Sequence, residues 1–261
     1  MLHVGIDLPQ GYRLAAYEAI GSTNSEGLTL AAKGEDSGLW IWAAEQRQGR
    51  GRSGRNWTSP PGNLHASLLL RPHVPLVTAQ QLSLLAGVAA HDAILSLASS
   101  AATQLDLRLK WPNDILCGNA KLGGILLESA SATNASATPP TVVIGTGLNI
   151  AHAPLDLGRP ATCLHELGIR VKPAQALAAL AWTTAEWLAR WNEGLGFELI
   201  RQAWQERAQT VGETVSVHIG GERLIGTFLG LDAAGALRLA TAEGGERSIT
   251  AGEVSLMASE A

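Results

Sequence analysis

Cysteine is nearly absent. Cys117 and Cys163 are the only two in 261 residues, far apart and in no CxxC pair, which excludes a disulfide framework and suits reduced thiols. Long apolar runs are missing too: none approaches the roughly 20 residues that span a bilayer. The amino-terminal MLHVGIDLPQGYRL lacks a basic segment, an apolar core and a small-residue cleavage site, so it does not read as a signal peptide. A cytoplasmic protein with no membrane association is the expectation. Familiar chemical motifs are also lacking. There is no G-x-x-x-x-G-K-[ST], no HExxH and no G-x-S-x-G, and Gly145-Thr-Gly-Leu-Asn-Ile150 carries only two glycines of the dinucleotide fingerprint. Classical zinc proteases and α/β-hydrolases drop out.

What is present is concentrated. Gln46-Arg-Gln-Gly-Arg-Gly-Arg-Ser-Gly-Arg55 packs four arginines and three glycines into ten residues of a chain whose net charge is −4. The remainder is therefore acidic, a poor polyanion binder. Taken alone, the run reads either as a solvated flexible loop or as a ligand loop. In the second reading glycines let backbone N–H groups close on an anion, while guanidinium forks match phosphate or carboxylate. Lysine is scarce: of four in the chain, two fall in Lys110-Trp-Pro-Asn-Asp114 and Lys121-Leu-Gly-Gly124. A lysine beside flexible backbone suits an anionic oxygen, although a surface hairpin with a solvated lysine has the same pattern. Asp114 reads as a turn aspartate, as a Mg²⁺ ligand or as the partner of a basic group.

The pattern along the chain predicts an α+β protein of one larger and one small domain. Thr23 and Glu26 form an S/T-x-x-E capping box predicting a helix to about Gly34. Leu39 to Ala44 and Leu64 to Leu70 read as buried strands joined by the Arg/Gly loop. Helical spacing from Thr78 to Ala98 predicts a helix over a sheet. Leu105 to Trp111 reads as a strand, and Ile115 to Cys117 with Gly124 to Glu128 as a hairpin turning at Gly118-Asn119. Ser129 to Pro140 is low in complexity and reads as a mobile loop before a strand at Thr141 to Gly145. Helices are expected from Pro173 to Trp191 and Phe197 to Gln209. Beyond Val211 short alternating segments punctuated by Gly220-Gly221, Gly235 and Gly244-Gly245 predict a small all-β barrel. The expected domains are residues 1–210 and 211–261.

Ser22-Thr-Asn, the Gln46 to Trp57 run, KWPND with KLGGIL, and GTGLN together resemble the biotin protein ligase family. They occur in the family's order across residues 20–150. The resemblance implies a mixed-sheet catalytic domain of the class II synthetase-like biotin/lipoate ligase type, with a small carboxy-terminal SH3-like β-barrel. It implies that biotin and ATP yield biotinyl-5′-AMP and pyrophosphate with Mg²⁺, and that biotin then passes to a lysine of a biotin carboxyl carrier protein. Ser22, Thr23, Asn24 and Gln46 would meet the ureido head of biotin. Arg50, Gly51 and Arg52 would close over the ligand, with Arg52 and Lys121 nearest the carboxylate and α-phosphate. Gly123 and Gly124 would let backbone approach biotin. Trp57 would cover adenine, Asn149 would meet its edge, and Arg55 and Asn113 would border the nucleotide. Lys110 would face phosphates, and Asp114 a metal ion or the incoming lysine. The catalytic set is then Arg52, Lys121, Lys110 and Asp114, with histidines such as His65 and His91 left to packing or the surface. With the cap motif starting at Ser22, no amino-terminal DNA-binding domain or operator binding is expected. The family's catalytic domains often self-associate through a sheet edge, so a homodimer stays open.

Two other readings stand beside this one: a lipoate or octanoate ligase-type enzyme, which shares the catalytic fold, and a non-catalytic anion- or nucleic-acid-binding module built on the basic loop. The Arg/Gly loop joined to KWPND favours biotin. The acidic remainder and the lack of clustered aromatics around the loop disfavour the module. A ligand-ordered lid makes a direct prediction. Tryptic cleavage within Arg47 to Arg55 should slow several-fold when biotin and ATP are added; equal rates with and without them would count against the lid.

Overall fold

A computed structural model describes residues 5–98, 105–130, 139–155, 158–208, 211–241 and 244–256. Alternation of side chains sets its architecture. Strand β1 (Arg13–Ile20) leads through helix α1 (Thr23–Ala32) to β2 (Leu39–Gln46), which pairs with it in parallel. After the Arg/Gly loop come β3 (Leu64–Leu70), a short α2 (Leu76–Ala79) and α3 (Leu82–Leu97). Then follow β4 (Leu107–Lys110), β5 (Asp114–Cys117), β6 (Ala120–Ala130) and β7 (Thr141–Leu148). These seven strands form one mixed sheet in the order β1-β2-β3-β7-β6-β5-β4.

Along β2, Leu39 and Ile41 bury against α1 together with Leu69 and Val143, whereas Trp40 and Trp42 enter the main core on the opposite face. That is the period-two pattern of a strand buried on both sides. Gly27 lets α1 come close: a Cβ there would lie 3.0 Å from Val143 Cγ1 and 3.3 Å from Ile41 Cδ1. On the other face α3 is buried around most of its circumference, lying between the sheet and two further helices, α4 (Pro173–Trp191) and α5 (Phe197–Arg207). Pro173 occupies the first turn of α4, where its missing N–H costs no helical bond.

Several sequence expectations shift. The cap of α1 is Ser22, which accepts from Ser25 N; Glu26 instead accepts from the Tyr17 hydroxyl. Residues 76–97 form two helices rather than one, and the segment 131–138 of the expected mobile loop lies outside the described residues.

The largest correction concerns the carboxy-terminal strands β8 (Thr214–Ile219), β9 (Glu222–Leu231), β10 (Leu237–Thr241), β11 (Glu246–Ile249) and β12 (Glu253–Leu256). They do not close into the expected SH3-like barrel. Their order is β11-β10-β9-β8-β12, an antiparallel sheet whose edge strands, among the described residues, do not pair with each other. Closure is unnecessary because the apolar face is covered from outside. Val215, Phe228, Leu237 and Val254 meet Leu109, Trp111 and Trp204 of the larger unit, so both units share one hydrophobic core. The Trp111 indole N–H donates to Gly235 O across the junction at 3.3 Å. No helix among the described residues is long and apolar enough to cross a membrane.

The three helices behind the sheet are joined by Asp92 on α3. It accepts from Arg207 Nε at 2.8 Å and from Trp187 Nε1 at 3.0 Å, and the Trp187 ring lies under the Arg190 guanidinium, 4.4 Å from its centroid. Burial pushes the Asp92 carboxyl up, but hydrogen bonds from His91, Arg207 and Trp187 more than offset this and hold it at about 2. A carboxylate held below its unfolded value stabilises the fold above the ordinary 3.8, and this contribution is lost as pH falls through about 2. Asp92→Asn is expected to cost roughly 1.5–3 kcal/mol in urea denaturation at pH 7. The gap to the wild type should narrow between pH 4 and pH 2; a gap independent of pH would show that the charge is not what matters.

Candidate functional site

The face of the sheet that carries α1 continues past that helix, and its composition changes there. In β7 the alternation that sets Val143 under α1 brings Gly145 and Gly147 next on that face. In β3 it brings Ser67 and His65. Small and polar groups therefore replace aliphatic ones and leave a cleft. The cleft opens between the amino end of α1, the Arg/Gly loop, the β4–β5 turn and the segment after β7, a concave site with convergent polar groups of the kind that takes small molecules. The glycines are required. A Cβ on Gly145 would lie 2.3 Å from Asn24 Oδ1, and one on Gly147 would lie 2.6 Å from the Trp57 ring.

One end of the cleft is a network of hydroxyls and amides. Gln46 Oε1 accepts from Thr23 N at 2.7 Å and from Thr23 Oγ1 at 3.0 Å, while its Nε2 donates to Ser59 Oγ at 2.9 Å. Ser67 Oγ lies 2.6 Å from Asn24 Oδ1, and Asn24 Nδ2 donates to Leu126 O and to Glu128 Oε2. Buried polar groups held this way keep a fixed pattern of donors and acceptors.

The Arg/Gly loop folds over this end as a small hairpin. Gly51 N donates to Arg55 O and Trp57 N to Gly49 O, and the chain reverses at Ser53 (φ 55°) and Gly54 (φ 72°). Arg50 Nη2 donates to Glu128 Oε2 at 2.9 Å and to Ser25 Oγ at 3.0 Å. Arg52 Nη1 donates to Gly252 O at 3.3 Å, tying the loop to the turn before β12. Trp57 leaves the hairpin to lie on Gly147 and Gly124, with Lys121 Nζ 5.0 Å from its ring centroid.

Cations collect at the other end around one carboxylate. Asp114 Oδ1 meets Lys121 Nζ at 2.5 Å; Oδ2 meets Arg159 Nη1 at 2.7 Å and Lys110 Nζ at 3.3 Å. Asp114, Lys110 and Lys121 are all buried. Burial pushes the Asp114 carboxyl up, yet Lys121, Lys110 and Arg159 hold it at about 2. Burial also lowers Lys121, against the opposing pull of Asp114. Among the described residues six cationic side chains line the cleft (Arg50, Arg52, Arg55, Lys110, Lys121 and Arg159) against the single carboxylate of Asp114. An acidic protein thus presents a strongly positive cleft, suited to an anion carrying several charges.

The structure brings most of the residues singled out from sequence to this lining: Ser22, Thr23, Asn24, Gln46, Arg50, Gly51, Arg52, Arg55, Trp57, Lys110, Asn113, Asp114, Lys121 and Gly124. Gly123 and Asn149 lie behind it. A Cβ on Gly123 would lie 2.8 Å from Gly147 O, and the Asn149 amide donates to Thr162 O and Lys121 O. Arg159 and His65 line the cleft without having been singled out as ligand groups. Arg159 sits in a segment without periodicity, and no motif marks it. His65 was left to packing or the surface; its Nε2 meets Pro60 O at 3.1 Å, burial lowers its pKa, and Nδ1 is buried with no protein partner among the described residues. Asn63 also went unnoticed. Its Oδ1 accepts from the N–H groups of Ile150, Ala151 and His152, holding the segment after β7 against the start of β3.

Removing the shared counter-ion leaves buried like charges together. Asp114→Asn is expected to lower stability by roughly 3–5 kcal/mol, read from the urea midpoint; an unchanged midpoint would mean that the lysines are solvated in the native protein.

Comparison with known proteins agrees with this geometry. Residues 18–149 match the model of the biotin/lipoate A/B protein ligase family, and residues 210–257 match the biotin protein ligase C terminal domain. A biotin–[acetyl-CoA-carboxylase] ligase of Paracoccus denitrificans is 40% identical over 240 residues, covering 89% of this chain and 96% of that protein. The bifunctional ligase/repressor BirA of Escherichia coli is 32% identical over 256 residues, 96% of this chain and 76% of its own length. Among solved structures, the biotin protein ligase from Aquifex aeolicus in complex with biotin and ATP superposes with a TM-score of 0.76. It is 26% identical and covers 94% of this chain and 98% of that one.

Proposed function

The chain belongs to the biotin protein ligase family and is an ATP-dependent biotin ligase, and we propose that its cleft serves the two half-reactions as follows. In the first, a biotin carboxylate oxygen attacks the α-phosphorus of ATP, and the bond to the leaving oxygen breaks, giving biotinyl-5′-AMP and pyrophosphate. In the second, the side-chain amine of a carrier-protein lysine attacks the biotinyl carbonyl, AMP leaves, and the amine proton is released. Biotin and ATP are the substrates, and a biotin carboxyl carrier protein supplies the lysine.

The observation that carries this reading is the joining of two chemically distinct ends in one cleft. The Ser22, Thr23, Asn24 and Gln46 end offers fixed donors and acceptors, as the edge of a cyclic urea requires. An octanoate or lipoate tail would need an apolar end instead, and that favours biotin over the sister substrates. The Lys121, Lys110 and Arg52 end supplies the cations that adenylation demands, because a carboxylate must approach a polyphosphate and both are negative. Preorganised cations lower that barrier without reorganising solvent. Arg50, Gly51, Arg52 and Arg55 form the cover, and Trp57, whose indole lies on bare glycine backbone, offers the face for adenine. Gly124 leaves room for backbone approach, and Asn113, whose amide donates to Ile125 O at 2.7 Å, fixes the turn that carries Lys110 and Asp114. Gly123 and Asn149 act from behind the lining, Asn149 by holding Lys121.

Asp114 is read here as the counter-ion of the cation cluster. It does not fit a protein-held Mg²⁺: both of its oxygens are engaged by cations, and among the described residues it is the only carboxylate lining the cleft. Magnesium belongs to the reading as the companion of ATP's phosphates.

Incubation with ATP, Mg²⁺ and, in turn, biotin, octanoate or lipoate should give an acyl-adenylate by mass spectrometry with biotin alone. Lys121→Ala should reduce its formation roughly 10²-fold or more, and Arg52→Ala should reduce it with little change in melting temperature. Octanoyl-adenylate in place of the biotin product would transfer the assignment to the lipoate side of the family.

A further inference from the structure

The cluster at Asp114 sets three cations against one carboxylate. Lys110 and Lys121 come from the β4–β6 hairpin and are buried beside Asp114. Arg159 arrives separately, on the irregular segment between β7 and α4, with its side chain 29% exposed. The residues that follow it are anchored beside Lys121. Lys121 N donates to Pro160 O at 2.9 Å, Thr162 N donates to Lys121 O at 3.0 Å, and Ala161 bridges Lys121 in parallel. The residues after Arg159 thus pair with β6 at Lys121, beyond the end of its pairing with β7. Of its guanidinium, Nη1 meets Asp114 Oδ2, while Nε and Nη2 have no protein partner among the described residues. That fork lines the cleft on the carboxylate oxygen shared with Lys110, whereas Lys121 takes the other oxygen.

We propose that Arg159 is a further substrate-binding residue, which grips the β- and γ-phosphates of ATP, and hence the departing pyrophosphate, by its free guanidinium fork. The proposal rests on the ligase reading above and on that reading's placing of Lys121 at the α-phosphate. Three geometric facts support it. A single carboxylate cannot neutralise three cations, so the cluster carries surplus positive charge. A planar fork matches the paired oxygens of a phosphate where an ammonium offers only a point charge. Arg159 and Lys110 share the oxygen of Asp114 that Lys121 does not use, so the two continue the line of cations beyond the α-phosphate position. Asp114 keeps two lysines when Arg159 is removed, so the fold is retained.

The test separates a polyphosphate contact from a structural one, because biotinyl-5′-AMP has neither the β- nor the γ-phosphate. In biotin-dependent ATP–pyrophosphate exchange, Arg159→Ala is expected to raise the KM for ATP and for pyrophosphate tenfold or more. Arg159→Lys should recover part of that loss. Calorimetric Kd for synthetic biotinyl-5′-AMP should stay within twofold of wild type in both variants. Exchange constants within twofold of wild type would overturn the proposal, as would a parallel loss of biotinyl-5′-AMP affinity, the mark of a structural role. Wild-type protein without biotin-dependent exchange would instead defeat the ligase reading on which the proposal stands.

Discussion

The cleft exists because one buried carboxylate is ionised. Lys110, Lys121 and Arg159 converge within 3.3 Å of Asp114, and each pair among the three repels. At such range each attraction to Asp114 is on the order of 4 kcal/mol for an effective dielectric of about 20, and without it the mutual repulsions would disperse the cluster. Three attractions to Asp114 offset them, and the carboxyl held at about 2 is the mark of that balance. The cost of burial is met by the same contacts, and the residual charge stays positive. A protein with four more acidic than basic residues thereby keeps a local field of opposite sign, sheltered from its own exterior.

Around this centre the fold supplies shape by omission. The face of the sheet that elsewhere packs α1 through Ile41, Leu69 and Val143 runs out of side chains at Gly145 and Gly147. Trp57 lies on the bare backbone so exposed, and Asn24 reaches over Gly145 to the β6 carbonyl of Leu126. Rigidity comes from bonds that cross between elements. Gln46 ties β2 to α1, Asn63 ties the segment after β7 to β3, and Arg50 ties the loop to β6 through Glu128. The groups lining the cleft are therefore held by packed strands and helix ends, the arrangement that preorganised sites require.

Much of this was legible beforehand because it depends on local periodicity and on residue types clustered in the chain. The bounds of α4 and β3 followed from spacing and flanking Pro or Gly, and the Arg/Gly loop and the KWPND run announced themselves by composition. What escaped depends on contacts distant in sequence. Arg159 is 45 residues from Asp114, and nothing in its neighbourhood shows which carboxylate it will meet. Asn63 drew no attention, since its three backbone partners lie nearly ninety positions away. The cap of α1 moved by one residue because Ser22 competes with Thr23 for the role, and Thr23 is drawn to Gln46 instead. Alternation and glycine turns reveal strands but not whether a sheet shuts on itself. Whether β8 to β12 closed was decided by Trp111 and Trp204, which lie outside that segment.

The bond from Arg52 to Gly252, with Val254 on the wall of the cleft, makes the carboxy-terminal sheet part of the enclosure as well as a neighbour to it. Two segments that sequence comparison separates are thus, mechanically, one body: the smaller leans its apolar face on Leu109, Trp111 and Trp204 and touches the Arg/Gly loop with its edge. Grafting the larger segment onto a different carboxy-terminal unit would therefore strip a hydrophobic support and a loop anchor in a single cut, so the two segments are free to vary only together.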